Sequence, residues 1–455
     1  MPEDTSDTVG LARRHMSPIL VRYFEREWVR GDGHYLYDAA GVAYLDFATG
    51  IATTILGHRH PAVTRAICEQ ADRIVHLCNA LGYAEPMSAL AAEIVATMPE
   101  PLDTVFFQNS GSEVIEAAVK LARRASGRPA LIGFTGGFHG RTMAAVALTS
   151  SNPNYRVGYE PVLPGVYLAP FPDVYRGGGE EKATADALVG LHELFRWQVS
   201  PDRVAAMVVE PVQGEGGYRP APVAFLRELR RICDEHGILL VDDEIQAGMA
   251  RTGRMWAFEH AGIVPDMVCV AKGIANGLPL GLLVTSRALQ ERWGAGAHGT
   301  TFGGNPVACE AARAVLRTIR DEGLVENAAA RGAELRAGIE RLAEEDPGIG
   351  DVRGPGLMIG VEFVKDRATR APDGERAGRL LQATADGGLL VLLCGADHNV
   401  MRWMPPINVT TDEVREALRI FGAALEADRV AQANGARGSD PPAPSRFAAG
   451  AATAA

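Results

Sequence analysis

The sequence predicts an α/β protein with a mainly parallel sheet flanked by helices, plus a smaller α+β unit assembled from both chain ends. Three observations predict it. Short apolar runs recur with amphipathic helical stretches between them. The runs end in loops rich in glycine or carboxylates, and the flanking segments mix hairpin and helix patterns. At 455 residues and 48.4 kDa the chain can bury a large core, and length suggests two or three domains.

Residues 35–46 alternate apolar and polar positions around Asp38-Ala39-Ala40-Gly41, which reads as a hairpin. The runs 104–107, 130–134, 205–209, 238–241 and 267–271 read as the strands of the main sheet. Val114, Ala118, Leu121, Ala122 and Ala125 follow the i, i+4, i+7, i+8, i+11 spacing of one helix face, so a helix starts where a strand ends. A long helix is expected over 327–345, with further strands within 350–364 and 388–404. Residues 1–60 then contribute to the small unit, 61–326 form the large one, and 327–428 complete the small one. The segment 429–455 is Ala-, Gly-, Pro- and Ser-rich, too poor in apolar surface to offset its ordering entropy, and is expected to be a disordered tail.

Charge excludes some functions. The 45 basic and 56 acidic residues give −11, spread along the chain with no basic stripe interleaved with aromatics, so nucleic-acid binding is not expected. The six cysteines show no C-x-x-C pair, which leaves no readable metal site or disulfide framework and fits a reducing cytoplasm. Neither a signal peptide nor a membrane span is readable, so a cytoplasmic protein without membrane contact is expected.

The chemistry centres on Lys272, which an apolar run delivers into the glycine-rich stretch Gly273-Ile274-Ala275-Asn276-Gly277. Another run ends in Asp242, Asp243 and Glu244, with Asp243 29 residues before Lys272. An amine for a Schiff base and an anion for a ring nitrogen, at the mouths of neighbouring strands, are what pyridoxal 5'-phosphate needs. By strand alternation Asp243 faces that ring, whereas Asp242 and Glu244 point elsewhere. Ile245 would pack on one ring face and Gln246 would reach the ring oxygen. Ser110-Gly111-Ser112-Glu113 joins a strand to a helix; such a start both N-caps the helix and offers backbone N–H groups to a phosphate. Phe138, His139 and Arg141 share one glycine-rich loop, giving a ring to stack, an imidazole and a guanidinium fork for a carboxylate. Glu215, among glycines, can approach a ligand closely or simply sit solvated in a turn.

These five motifs, in this order over residues 35–424, resemble the class III, or ω-amino-acid, aminotransferases of the fold type I pyridoxal-phosphate enzymes, with a pattern nearest the 4-aminobutyrate branch. The resemblance implies a homodimer with shared active sites, Lys272 as Schiff-base lysine and proton shuttle, and Asp243 under the pyridine nitrogen. It implies phosphate contacts from Gly111 and Ser112 and from Thr301 of a second copy; pairing of dimers into tetramers stays open. It also implies that Arg402 binds an α-carboxylate, Arg141 a distal one, and that Glu215 neutralises Arg402 when no α-carboxylate is present. The small-molecule partners are then an amine donor and a 2-oxo acid, with 4-aminobutyrate and 2-oxoglutarate as the leading pair. Ile51 stands where a tyrosine would meet an ornithine carboxylate and suggests an apolar wall. The chain departs from the family at Ser112, where many relatives have alanine, and at Val114-Ile115. Acetylornithine, ornithine or aminosugar donors, and an amino-acid racemase or epimerase on the same scaffold, remain the alternatives.

Overall fold

The computed structural model describes residues 7–435, and a seven-stranded sheet organises it. Its order is Thr104–Gln108, Gly281–Thr285, Met267–Val270, Leu239–Asp243, Val204–Val209, Ala130–Phe134, Val166–Ala169. From Met267–Val270 to the Val166–Ala169 edge every pairing is parallel, and Gly281–Thr285 alone runs against the others. This is the mainly parallel α/β sheet predicted.

Alternate residues of each strand feed two separate cores, which is why the strands read as unbroken apolar runs. Leu131, Ala206, Val208 and Val241 pack under Val114, Ala118, Leu121 and Ala122 of the helix Gly111–Ser126. Ile132, Met207, Val209 and Leu240 face Leu191 and Leu194 of Glu180–Trp197 and Phe225, Leu229 and Ile232 of Val223–His236. Two strands of this sheet escaped the sequence reading. Val166–Ala169 is a four-residue edge behind Pro164-Gly165, and Gly281–Thr285 follows directly on the glycine- and proline-rich stretch after Lys272. The strand expected to stop at 241 continues through the two aspartates, with Asp242 opposite Val268 and Asp243 opposite Cys269, so both acids lie in the buried ladder.

The two chain ends meet beside this sheet. Trp28–Asp32, Tyr35–Asp38 and Ala43–Asp46 form an antiparallel ribbon, and Leu389–Leu390 adds to it in parallel. A second antiparallel sheet contains Ile349–Arg353, Ile359–Asp366, Val400–Trp403 and Leu392–Cys394. The Met404 N–H donates to the Phe47 carbonyl, tying the two units just beyond Arg402. The last helix, Thr411–Gly435, corrects the expected tail boundary: it runs past 428, with the Arg429 guanidinium donating to the Glu345 carbonyl and Gln432 to Asp428. The rest of that expected tail, 436–455, lies outside the described residues.

Among the described residues no helix is long and apolar enough to cross a membrane, and no group of His, Cys, Asp and Glu could hold a metal ion. All six cysteines are free thiols.

Candidate active site

The carboxyl ends of the parallel strands open onto a cavity of about 310 Å³. Nine of the residues singled out from sequence line it: Ser110, Gly111, Ser112, Phe138, His139, Asp243, Ile245, Gln246 and Lys272. At one end the helix Gly111–Ser126 starts. The Ser110 hydroxyl caps it by accepting the Glu113 N–H, and the Glu113 carboxylate turns back to accept the Asn109 N–H at 2.7 Å. The Gly111 and Ser112 N–H groups meet no acceptor among the described residues, which leaves two donors at the positive end of a long helix. Gly111 packs closely on Ile245, since a Cβ there would lie 2.9 Å from Ile245 Cδ1.

At the floor, Asp243 Oδ2 lies 2.7 Å from His139 Nδ1, while Oδ1 accepts the Ile245 N–H at 3.1 Å. Burial works against charge on His139, but the hydrogen bond and charge of Asp243, together with Glu210, raise its pKa. Glu210 is the residue the sequence reading passed over. It sits at the end of Val204–Val209 and is buried rather than solvated, accepting the Phe138 N–H at 2.9 Å and the Gly214 N–H at 3.0 Å. It therefore fixes the loop that carries Phe138 and His139. Burial pushes its own pKa up to about 7.

Lys272 follows Val270 by two residues and has φ +46°, a left-handed conformation that costs a non-glycine residue of order 1–3 kcal/mol and clusters at functional sites. Its amine makes no hydrogen bond to a described residue. Burial lowers its pKa, and the nearby Glu215 works the other way. Gln246 likewise keeps a buried side-chain oxygen without a partner.

Pyridoxal 5'-phosphate fits what these residues leave unspent. Two backbone donors at a helix N-terminus suit its phosphate, the anchored Asp243 carboxylate suits its ring nitrogen, and a lysine amine without a partner suits its carbonyl carbon.

Beside the cavity, Arg402 of Val400–Trp403 is 1% exposed and ion-paired through Nη1 to Glu215, with its Nε unpartnered. Burial works to raise the Glu215 pKa, but Arg402, Lys272 and Arg141 together outweigh it and the net shift is downward. Arg141 is exposed and stacks on Tyr155, with its guanidinium carbon 4.5 Å from the ring centroid. Two further predicted residues, Ile51 and Thr301, also lie outside the lining of this cavity. Ile51 is 38% exposed, because Thr49, Gly50, Ile51 and Ala52 form a left-handed turn with φ from +45° to +66°. Asp46 Oδ1 holds that turn by accepting the Ala48 and Thr49 N–H groups, and Thr53, just beyond it, lines the cavity instead. Thr301 is exposed on the loop before the helix Pro306–Asp321, where its neighbour Thr300 accepts from Asn109 Nδ2 at 3.1 Å.

Asp242 and Glu244 point away from the cavity, as alternation requires. Both are buried, and each leaves one oxygen without a donor, which a single proton shared between them would satisfy. Glu244 also accepts the Phe258 N–H at 2.9 Å. Burial pushes Glu244 up to about 7 and Asp242 well above the usual carboxylate range. A carboxyl with a folded pKa above its unfolded one binds more protons when folded, so stability falls as pH rises from about 4.5 to about 7. Asp242→Asn keeps a donor for Glu244 and removes one acid. Melting followed from pH 5 to pH 8 is expected to show a shallower loss than in the unmodified protein; an unchanged slope would mean the pair does not share a proton.

The family model described as Aminotransferase class-III matches residues 20–425. The chain is 42% identical over 399 residues to the acetylornithine aminotransferase of Methanopyrus kandleri, covering 88% of this chain and 94% of that one. It is 37% identical over 399 residues to the 4-aminobutyrate aminotransferase GabT of Escherichia coli, covering 87% and 92%. Among solved structures it resembles the taurine:2-oxoglutarate aminotransferase of Bifidobacterium kashiwanohense, solved with pyridoxal phosphate and glutamate, at TM-score 0.87 and 27% identity over 94% of this chain and 99% of that one. The fold is that of the fold type I pyridoxal-phosphate enzymes, and the chain belongs to the class III aminotransferases, with pyridoxal 5'-phosphate as its cofactor.

Proposed function

We propose that this aminotransferase moves the terminal amine of an ω-amino acid, 4-aminobutyrate foremost, to 2-oxoglutarate in two alternating half-reactions on one site. The observation that carries the reading is the buried Arg402–Glu215 pair. A substrate with one carboxylate at the far end from its amine leaves Arg402 without an anion, and Glu215 supplies one. Glutamate brings its own α-carboxylate, and Glu215 gives way.

When bound, pyridoxal phosphate supplies a carbonyl that exchanges with the amine and an electron-poor ring that stabilises charge at the reacting carbon. Gly111 and Ser112 hold the phosphate with backbone N–H groups. Asp243, anchored by His139 and the Ile245 N–H, would face the ring nitrogen, while Phe138 and Ile245 would flank the ring and Gln246 would reach its oxygen. Lys272, its pKa lowered by burial, takes the proton from the amine-bearing carbon of the substrate and returns it. Arg141 grips the distal carboxylate.

A second copy of the chain completes the site in this reading, adding Thr301 to the phosphate. Leu81, Tyr83 and Phe302 support it, since they are 80%, 98% and 61% exposed in the single chain. We read the dimer as cytoplasmic, in line with six free thiols.

Acetylornithine is the second reading, favoured by the higher identity to the M. kandleri enzyme. It too presents an amine remote from a carboxylate. Single-turnover rates with each donor decide between them: the 4-aminobutyrate reading expects the larger rate-to-affinity ratio for 4-aminobutyrate, and a tenfold or greater excess for acetylornithine, about 1.4 kcal/mol, would replace it.

A further inference from the structure

We propose that Tyr155 is a positioning residue for substrate binding: its ring sets the Arg141 guanidinium and so fixes where the substrate carboxylate docks. The inference rests on the reading of Arg141 as the distal-carboxylate site and assigns a residue that acts through it.

Arg141 sits exposed on a loop and has no carboxylate partner among the described residues. A long side chain in that situation samples many rotamers, and ordering it on binding costs affinity. The structure removes that freedom at both ends of the residue. At the backbone, the Arg141 N–H donates to Ser112 Oγ at 3.3 Å. The preceding Gly140 has φ +126°, and a Cβ there would fall 2.1 Å from the same oxygen, so the chain passes as close to Ser112 as glycine permits. At the side chain, the guanidinium lies over Tyr155 at 4.5 Å. Stacking uses the face of the planar group and leaves its edge, with the N–H donors, free for a carboxylate.

Tyr155 is itself held against the loop it serves. Its ring meets Phe138 edge-on, with centroids 5.5 Å apart and planes at 75°. It closes a short turn, Pro153–Tyr155, capped by the Asn152 side chain accepting the Asn154 N–H at 2.9 Å. The residues just before that turn are fastened to the loop 134–141. Thr149 Oγ1 accepts the His139 N–H at 2.9 Å, Ser150 Oγ accepts the Gly136 N–H at 3.0 Å, and the Ser150 and Ser151 N–H groups donate to the Gly137 carbonyl at 2.8 and 3.1 Å. One brace, 149–155, thus fixes Phe138 at the cavity and Arg141 beside it, with Tyr155 touching both.

The test uses the cofactor-loaded enzyme and two readouts: calorimetric Kd for glutarate, a dicarboxylate that cannot react, and KM and kcat for 4-aminobutyrate. Tyr155→Leu is expected to raise Kd and KM on the order of tenfold with kcat unchanged, since a stacked cation is what it loses. Tyr155→Phe keeps the ring and is expected to behave as the unmodified enzyme. Arg141→Met is expected to raise both constants further, and adding Tyr155→Leu to it is expected to change little more, because the two act through one contact. If Tyr155→Leu leaves Kd unchanged while Arg141→Met raises it, or lowers kcat alone, the positioning role is wrong. If Arg141→Met itself leaves Kd unchanged, the carboxylate role of Arg141 falls and this inference with it. Should the leucine variant not fold, Tyr155→Met, apolar and without a ring, takes its place with the same expectations.

Discussion

Lys272→Ala is expected to abolish turnover, by about ten-thousandfold or more, while leaving the cofactor-free protein at least as stable as before. The two halves of that expectation have separate causes. Lys272 is the one group among the described residues with an amine aimed into the cavity, so no neighbour inherits the proton transfer. Its amine makes no hydrogen bond among the described residues, so removing it strands no described partner, and its left-handed φ of +46° gains nothing from a long side chain. Burial lowers its pKa. A lysine with a folded pKa below its unfolded one binds fewer protons when folded, so its charge costs stability at neutral pH and that cost fades as pH rises toward the ordinary lysine value. Alanine removes the cost. Turnover and melting temperature at pH 7 check both halves; a variant that keeps its rate would take Lys272 out of the chemistry.

Glu215→Ala is expected to slow the 4-aminobutyrate half-reaction by about 10²- to 10³-fold and the glutamate half-reaction far less. Arg402 is fully buried, and its one ion-pair partner among the described residues is Glu215. Removing one member of a buried pair costs about 3–5 kcal/mol, because the other charge is left uncompensated. That cost applies while the substrate lacks an α-carboxylate. In the proposed reading, glutamate's α-carboxylate takes the place that Glu215 would have vacated, so the variant is expected to meet the same environment as the unmodified enzyme. Rapid mixing of the loaded protein with each amine separately measures the two rates. Equal losses on both sides would mean that Glu215 serves the site as a whole and is no switch.

Much of this was legible in the sequence, for local reasons. Strands buried on both faces appear as continuous apolar runs, and a glycine-rich segment after each run marks the carboxyl end where ligands bind. Lys272, Asp243 and the helix start at Gly111 could be read because each is set by its own strand or turn. What escaped depends on contacts between distant segments. Glu210 looks like a solvated turn acid until the Phe138 and Gly214 N–H groups are seen to converge on it. Tyr155 lies in a polar stretch whose purpose appears only once it is hydrogen-bonded to the loop 134–141. Ile51 was placed at the wall by its sequence context, but four successive residues with positive φ turn it outward, a conformation that local propensity argues against and that Asp46 holds in place. The strand Gly281–Thr285 was masked by the proline and glycines before it. The last helix outran its expected end because Arg429 finds a carbonyl acceptor on the helix Leu324–Glu345.

The most direct test of the account is a single-turnover absorption measurement on the cofactor-loaded protein mixed with 4-aminobutyrate alone. The account predicts that the cofactor's visible band disappears as the amine is taken up, and that 2-oxoglutarate then restores it. A band that 4-aminobutyrate leaves intact, while glutamate bleaches it, would contradict the proposed donor and turn the Arg402–Glu215 pair to the service of a different amine.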